Sequence, residues 1–70
     1  MFNIKLKELR KSHNVTQKQV AVAIDLTERN YQDLEYGVIK PSFNTLIKLC
    51  EYFQVSGDYL LGLSEIKERR

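Results

Sequence analysis

The stretch that decides the fold is TQKQVAVAIDLTERNYQDLEYG, residues 16–37. Thr16 opens a T-x-x-Q capping box, which predicts the start of a helix. Thr27 predicts the start of another helix, and Gly37 predicts its end. The link between these helices is only two residues long and contains Asp25, which tolerates the positive φ of a sharp corner. The stretch therefore predicts two short helices that cross steeply.

Apolar spacing predicts which faces of these two helices are buried. Val20, Ala21 and Ile24 form the inner face of the first helix, where the small Ala21 allows close approach. Tyr31 and Leu34 point inward from the second helix. Its outer face is then predicted to carry Glu28, Arg29, Gln32, Asp33 and Tyr36. A helix held outward in this way suits the width of the DNA major groove.

The flanking sequence predicts further helices on both sides. Upstream, Ile4, Leu6 and Leu9 form a short apolar stripe. Asn14 predicts the end of that helix, because Asn tolerates the left-handed conformation of a helix terminator.

Downstream, Pro41 breaks the chain and Ser42 caps a fourth helix. Its three-and-four spacing predicts the most buried helix of the chain, with apolar positions Phe43, Leu46, Ile47, Leu49, Cys50 and Phe53. Ser56 caps a short fifth helix that ends at Gly62. The prediction is an all-α, compact five-helix domain over residues 1–62. A polar tail, residues 63–70, either frays or extends the last helix.

Composition limits the classes of protein that remain. The chain has 70 residues, one Cys and one His, so neither a disulfide nor a zinc site is expected to hold the fold. No apolar run approaches about 18 residues, which predicts a soluble, cytoplasmic protein with no membrane contact. The formal net charge is +2 and the pI is about 8.8, values that permit a polyanionic partner. No motif indicates a metal, a cofactor or a small-molecule ligand.

The run TQKQVAVAIDLTERNYQDLEYGVIKPS, followed by VSGDYLLG, resembles the helix-turn-helix domain of the phage repressor and Cro family, also called the Xre family. The resemblance covers about residues 3–62. Relatives usually have Gly at the positions of Asn14 and Asp25, and both replacements tolerate the same backbone. The resemblance implies a repressor-like fold, with the helix-turn-helix formed by the second and third helices.

The resemblance also implies roles for individual residues. The residues expected to face base edges or the groove wall are Thr27, Glu28, Arg29, Gln32 and Asp33. The DNA phosphates are expected near Thr16, Gln17, Lys18, Tyr36, Lys40, Ser42 and Asn44. Gln17 would contact phosphate and brace the first recognition residue, and Arg10 would form a partly buried ion pair with Glu35.

The acids on the outer face have alternative explanations. Glu28 either accepts a hydrogen bond from cytosine N4 or is placed by the favourable helix dipole. Asp33 either accepts similarly or orients Arg29 one helical turn away. The fork of Arg29 matches guanine O6 and N7, which makes it the expected base contact.

Two classes of function follow from this pattern. The first is a sequence-specific transcriptional regulator, most often a repressor in this family, that binds a palindromic double-stranded DNA operator as a homodimer. Its dimer contacts would come from Tyr59, Leu60, Leu63 and Ile66. The alternative is a protein-interaction module, an antitoxin or adaptor, with weak DNA affinity. No paired-acid cleft, activated nucleophile or glycine-rich phosphate loop indicates an enzyme.

Overall fold

The computed structural model describes residues 2–62, which form five α-helices. Their bounds are α1 Phe2–Ser12, α2 Gln17–Ala23, α3 Glu28–Tyr36, α4 Phe43–Phe53 and α5 Gly57–Leu60. The described part of the chain contains no β-strand. The predicted all-α, five-helix order is therefore confirmed. The predicted polar tail, residues 63–70, lies outside the described residues.

Four helices begin at a hydroxyl side chain that caps the first turn. Thr16 forms the predicted capping box: its Oγ1 accepts from Gln19 N at 3.0 Å, and its own N donates to Gln19 Oε1 at 2.7 Å. The other caps are Thr27, Ser42 and Ser56. Each such cap stabilises its helix by about 1 kcal/mol. The capping residues thus set where each short helix starts.

Left-handed residues make the sharp corners between helices. Asn14 has φ 56°, Asp25 φ 64° and Gly37 φ 77°, as predicted from their residue types. Gln54 also lies in the left-handed region, at φ 55°, where it ends α4. Gln is a poor indicator of this conformation, so the sequence did not predict that corner.

The core lies where α1, α2, α3, α4 and α5 meet. Its buried members are Leu6, Leu9, Val20, Ala21, Ile24, Tyr31, Leu34, Leu49, Cys50, Phe53, Val55, Tyr59 and Leu60. Phe2, Val15, Leu26 and Leu46 pack against them while partly exposed. The predicted inner faces of α2 and α3 are confirmed, and Cys50 is buried among apolar side chains as expected.

The predicted buried stripes of α1 and α4 were wrong at three positions. Ile4 is 54% exposed, Phe43 is 76% exposed and Ile47 is 39% exposed. The neighbouring helices cover a narrower arc of α4 than its apolar residues span. Leu49 and Phe53 fill the centre of that arc, so Phe43 and Ile47 project from its edge.

The predicted dimer contacts also require correction. Tyr59 is 7% exposed and Leu60 is fully buried, because α5 packs both side chains into the core of the same chain. These side chains are therefore not available to a second copy at the surface. The other two predicted contacts, Leu63 and Ile66, lie outside the described residues.

Candidate nucleic-acid interface

A tight corner joins α2 to α3. Leu26 N donates to Ala21 O at 2.8 Å, and Asp25 N donates to Val22 O at 3.2 Å. These bonds satisfy carbonyls at the end of α2 and fix the direction in which the chain leaves it. Ala21 is 1% exposed, and its small side chain permits the close approach of α3. The predicted helix-turn-helix is thus present at residues 17–36.

The outer face of α3 presents polar side chains to solvent. The Arg29 side chain is 83% exposed, Glu28 is exposed, and Tyr36 is 61% exposed. Gln32 and Asp33 are half-buried at the edge of this face. Tyr31 and Leu34 are enclosed on the opposite side. The structure therefore holds the predicted base-facing residues together on one accessible surface.

Asp33 lies within ion-pair distance of Arg29, a geometry that one of the two explanations offered by the sequence requires. Arg29 Nε lies 3.5 Å from Asp33 Oδ1, one helical turn along α3. An exposed pair of this kind contributes only about 0.3–0.5 kcal/mol to stability. The pair places the guanidinium on the outer face of the helix.

Glu28 and Thr27 lie at the N-terminal end of α3. Thr27 Oγ1 accepts from Asn30 N at 3.1 Å, so this hydroxyl caps the helix. Glu28 is the acidic residue of the first turn, where the helix dipole favours a negative charge. Both residues are exposed. The first turn of α3 therefore remains accessible to a partner.

The predicted phosphate-facing residues fall at three places next to this surface. Thr16, Gln17 and Lys18 lie at the start of α2, Tyr36 lies at the end of α3, and Lys40, Ser42 and Asn44 lie around the start of α4. All except Gln17 are exposed. Ser42 Oγ accepts from Thr45 N at 3.2 Å and lies 3.0 Å from Thr45 Oγ1.

Gln17 makes a contact that the sequence did not predict. Its Nε2 donates to Glu35 Oε1 at 3.2 Å, so one end of the side chain lies against α3, and its expected contacts with phosphate and with a recognition residue stay predictions. Sequence reasoning missed this contact because Glu35 is 18 residues away along the chain. Gln17 therefore links the start of α2 to the last turn of α3.

A polar cluster of Arg10, Gln17, Tyr31 and Glu35, here called the hub, joins three helices. The predicted ion pair is present: Arg10 Nε donates to Glu35 Oε2, and Arg10 Nη2 donates to Glu35 Oε1 at 3.3 Å. Arg10 Nη1 also donates to Val15 O at 3.0 Å, a contact that side-chain patterns did not indicate. The hub thus ties α1 to α3 and to the segment that leads into α2.

The hub is almost closed to solvent. The side chain of Glu35 is 0% exposed and that of Arg10 is 14% exposed. Burial alone raises the pKa of Glu35, but the hydrogen bond from Arg10, the neighbouring Tyr31 hydroxyl and the hydrogen bond from Gln17 together outweigh it and hold that pKa below its usual value. The hydrogen bond to Glu35 raises the pKa of Arg10. Glu35 is therefore a charged, buried side chain that links the helices, and it is not part of the accessible face.

Tyr31 completes the hub from within α3. Its hydroxyl oxygen is buried and has no hydrogen-bond partner of ordinary geometry. Burial first, and the neighbouring Glu35 second, raise the pKa of the Tyr31 hydroxyl well above its usual value. Tyr31 is thus a neutral member of the core and does not face the outer surface.

The C-terminal end of α3 folds back in a Schellman motif. Gly37 N donates to Leu34 O at 3.3 Å and Val38 N donates to Asp33 O at 2.9 Å. This motif usually pairs an apolar side chain after the glycine with one in the last turn. Here the partner position is Asp33, so Val38 remains 69% exposed.

The described residues contain no group of three or more side chains that could hold a metal ion. Within the same part of the chain, no helix is both long and apolar enough to cross a membrane.

This fold and this site define a class of protein. A helix-turn-helix family model matches residues 6–60, and the chain belongs to that family. The predicted resemblance to phage repressor and Cro proteins is confirmed by this match.

Named relatives come from Bacillus subtilis (strain 168). The chain is 35% identical over 65 residues to the uncharacterized HTH-type transcriptional regulator YobD, covering 93% of this chain and 58% of that protein. It is also 35% identical over 65 residues to the HTH-type transcriptional regulator ImmR, covering 93% of this chain and 51% of that protein. The chain thus spans about half the length of the curated relatives it matches.

Solved structures share the fold. A transcriptional regulator from Listeria innocua superposes with a TM-score of 0.84 at 32% identity, covering 89% of this chain and 58% of that one. The P22 c2 repressor, in complex with a synthetic operator, superposes with a TM-score of 0.86 at 20% identity, covering 91% of this chain and 97% of that one. The repressor-like architecture predicted from the sequence is confirmed.

Proposed function

We propose that this chain is a sequence-specific DNA-binding transcriptional regulator that acts as a repressor and inserts α3 into the major groove of double-stranded DNA. One observation carries this proposal: the corner at Asp25 holds α3 so that Arg29 projects outward while Tyr31 and Leu34 anchor the helix in the core. A major groove about 12 Å wide accepts an α-helix in this orientation. The names of the relatives, which describe transcriptional regulators, support the same conclusion.

The accessible side chains of α3 are assigned to base readout. The guanidinium of Arg29 matches guanine O6 and N7, and such a pair discriminates by about 1–3 kcal/mol. Asp33 preorganises that guanidinium through the ion pair across one turn. Glu28 accepts from cytosine N4, while Thr27 and Gln32 line the groove wall.

Phosphate contacts are assigned to residues that flank α3. Thr16, Lys18, Tyr36, Lys40, Ser42 and Asn44 are exposed around it and are proposed to contact the DNA backbone. Gln17 is assigned a bracing role, because its side chain donates to Glu35. Base-facing and phosphate-facing residues together carry three bases and two acids. The acids leave little surplus positive charge, so they penalise wrong sequences as well as select the right one.

A regulator of this kind acts on a palindromic operator as a homodimer, in which each copy reads one half-site. It works in the cytoplasm as a binding protein and not as an enzyme. The proposal needs no metal, cofactor or small-molecule ligand, since recognition depends only on the side chains of α3 and its flanks.

Selection of bound duplexes from a randomised DNA library tests this function. A single enriched motif with two related half-sites is expected, separated by about one helical turn. Affinity for the selected duplex should fall steeply between about 50 and 200 mM salt, because phosphate contacts release counterions. A heat-denatured sample of the same protein serves as the control for non-specific retention.

A second candidate function, a protein-interaction module such as an antitoxin or adaptor, has one observation in its favour. Asp33 pairs with Arg29, the strongest base-reading candidate on α3, and Glu28 adds further negative charge. This alternative predicts no duplex binding even at low salt, where electrostatic DNA binding is strongest. No enriched motif together with no low-salt binding would favour it over the regulator.

A further inference from the structure

Two large apolar side chains lie exposed on one side of α4. Phe43 is 76% exposed and Ile47 is 39% exposed. They are four residues apart on a helix, so their side chains are neighbours on one face. This pair is called the α4 flank below. Single exposed apolar residues are ordinary, whereas apolar side chains that lie together form a candidate interaction surface.

The apolar stripe that contains the α4 flank runs on to the contact between α4 and α5. Cys50 follows Phe43 by seven residues and Ile47 by three, so it extends the same stripe. A Cβ atom placed on Gly57 would lie 4.0 Å from Cys50 Sγ, which puts the first residue of α5 against the end of the stripe. Cys50 itself is buried, at 8% exposed, so the exposed part of the flank ends at Ile47.

The charges beside the α4 flank suit a second copy of the same chain. Lys48 and Glu51 are both exposed on α4, adjacent to Ile47. In a two-fold interface the same surface meets itself, so a rim with both signs lets each charge meet its opposite. A DNA backbone would be repelled by Glu51, and a strongly acidic or basic partner would match only one of the two charges.

The size of the α4 flank indicates how stable such an interface is. A stable protein interface buries about 800 Å² on each partner, and two partly exposed side chains supply much less than that. Association in solution is therefore weak. Two copies bound on adjacent half-sites are held at high effective concentration, which allows a small interface to contribute.

We infer that the α4 flank, centred on Phe43 and Ile47, is the surface through which two copies of this chain contact each other on the operator. The inference rests on the proposed function. It places the contact between copies on α4 instead of at Tyr59 and Leu60, which are buried in the core. Phe43 lies directly between Ser42 and Asn44, the proposed phosphate ligands at the start of α4. The contact between copies is therefore adjacent to the DNA backbone and couples their positions along the duplex.

The test compares binding to duplexes that carry one or two copies of the selected half-site, for wild type and for the Phe43→Ser/Ile47→Ser variant. Wild type should bind the two-site duplex cooperatively, with a coupling of about 5- to 150-fold between sites. The variant should keep the one-site affinity and lose the coupling. Val22→Ser, which removes a 71% exposed apolar side chain from α2, is the matched control and should retain it.

Other outcomes separate the two proposals. Full coupling in the double variant, or loss of coupling in Val22→Ser to the same extent, overturns the assignment of this surface. Sedimentation velocity at rising concentration tests self-association without DNA. If wild type binds no duplex, yet its concentration-dependent dimer disappears in the double variant, the proposed function fails and the surface stands. A wild type that binds each half-site independently and stays monomeric overturns the surface alone.

Discussion

At the scale of single residues, the outer face of α3 combines one exposed base with two acids. Arg29 is the only base of α3, and its Nε lies 3.5 Å from Asp33 Oδ1. The negative charge of Asp33 reduces the attraction of Arg29 for phosphates. Under the proposed function, specificity and affinity are assigned to different residues, which makes the two separable by substitution.

Replacing Arg29 tests its role in base selection. In Arg29→Ala the guanidinium fork is lost, so preference at one base pair should relax by about 1–3 kcal/mol. Lys40→Ala is the matched control. It should lower the affinity for all duplexes about equally, and it should reduce the slope of log affinity against log salt concentration by about 1. Competition binding with single-position variants of the selected duplex measures both effects. Unchanged base preference in Arg29→Ala would mean that the recognition assignment is wrong.

Removing the charge of Glu35 tests the hub as a structural tie. In Glu35→Gln, Arg10 keeps its charge with only 14% of its side chain exposed. Breaking a buried pair on one side costs about 3–5 kcal/mol, and the lower end is expected here because Arg10 keeps some solvent contact. Urea unfolding followed by circular dichroism measures the loss. Arg10→Met/Glu35→Leu should lose less stability than Glu35→Gln, because no unpaired charge remains.

At the scale of helices and corners, backbone conformation limits which residues are tolerated. Gly37 has φ +77°, and a Cβ there would lie 3.1 Å from Asn3 Nδ2 on α1. Gly37→Ala should therefore lower the free energy of unfolding by about 1–2 kcal/mol. Asp25→Gly is the control and should leave the free energy of unfolding nearly unchanged. Glycine relieves the cost of positive φ, but it also adds entropy to the unfolded chain, and these two effects nearly cancel. Equal stability of Gly37→Ala and wild type would contradict this account.

Local signals explain how much of the fold could be predicted from the sequence. The caps at Thr16 and Ser42 and the corners at Asn14 and Asp25 depend on atoms a few residues away, and all four were predicted correctly. Gln54 adopts the same left-handed conformation without a residue type that signals it. Burial on α4 was misjudged, because apolar spacing identifies a helix face but not how much of it neighbouring helices cover.

Contacts between distant residues explain what the sequence could not predict about the candidate site. The outer face of α3 followed from the inward positions of Tyr31 and Leu34, which is a matter of helical period. The contact of Gln17 depends on Glu35, and the exposure of Phe43 depends on how much of α4 the neighbouring helices cover. Neither is encoded in local spacing, so the bracing contact and the α4 flank emerged only from the structure.

At the scale of the whole molecule, the hub makes the packing of three helices depend on one carboxylate. Glu35 accepts from Arg10 on α1 and from Gln17 on α2 while lying on α3 itself. The ionised form of Glu35 is the one that makes these bonds. Its folded-state pKa is lowered relative to the usual value of 4.5, so folding favours the charged carboxylate.

This lowered pKa predicts how stability changes with pH. A carboxyl whose pKa is lower in the folded state adds stability that is fully present above its unfolded pKa and is lost as pH falls through the folded pKa. The contribution of Glu35 to the melting temperature should therefore change little between pH 7 and about 5. The melting temperature should fall as pH drops below 4.5. Arg10→Met/Glu35→Leu lacks this carboxylate and should lose less stability over the same range. If the melting temperatures of wild type and the double variant fall by the same amount from pH 7 to 3, other acids cause the loss. The two proteins differ in the hub, whereas their remaining carboxyl groups are the same.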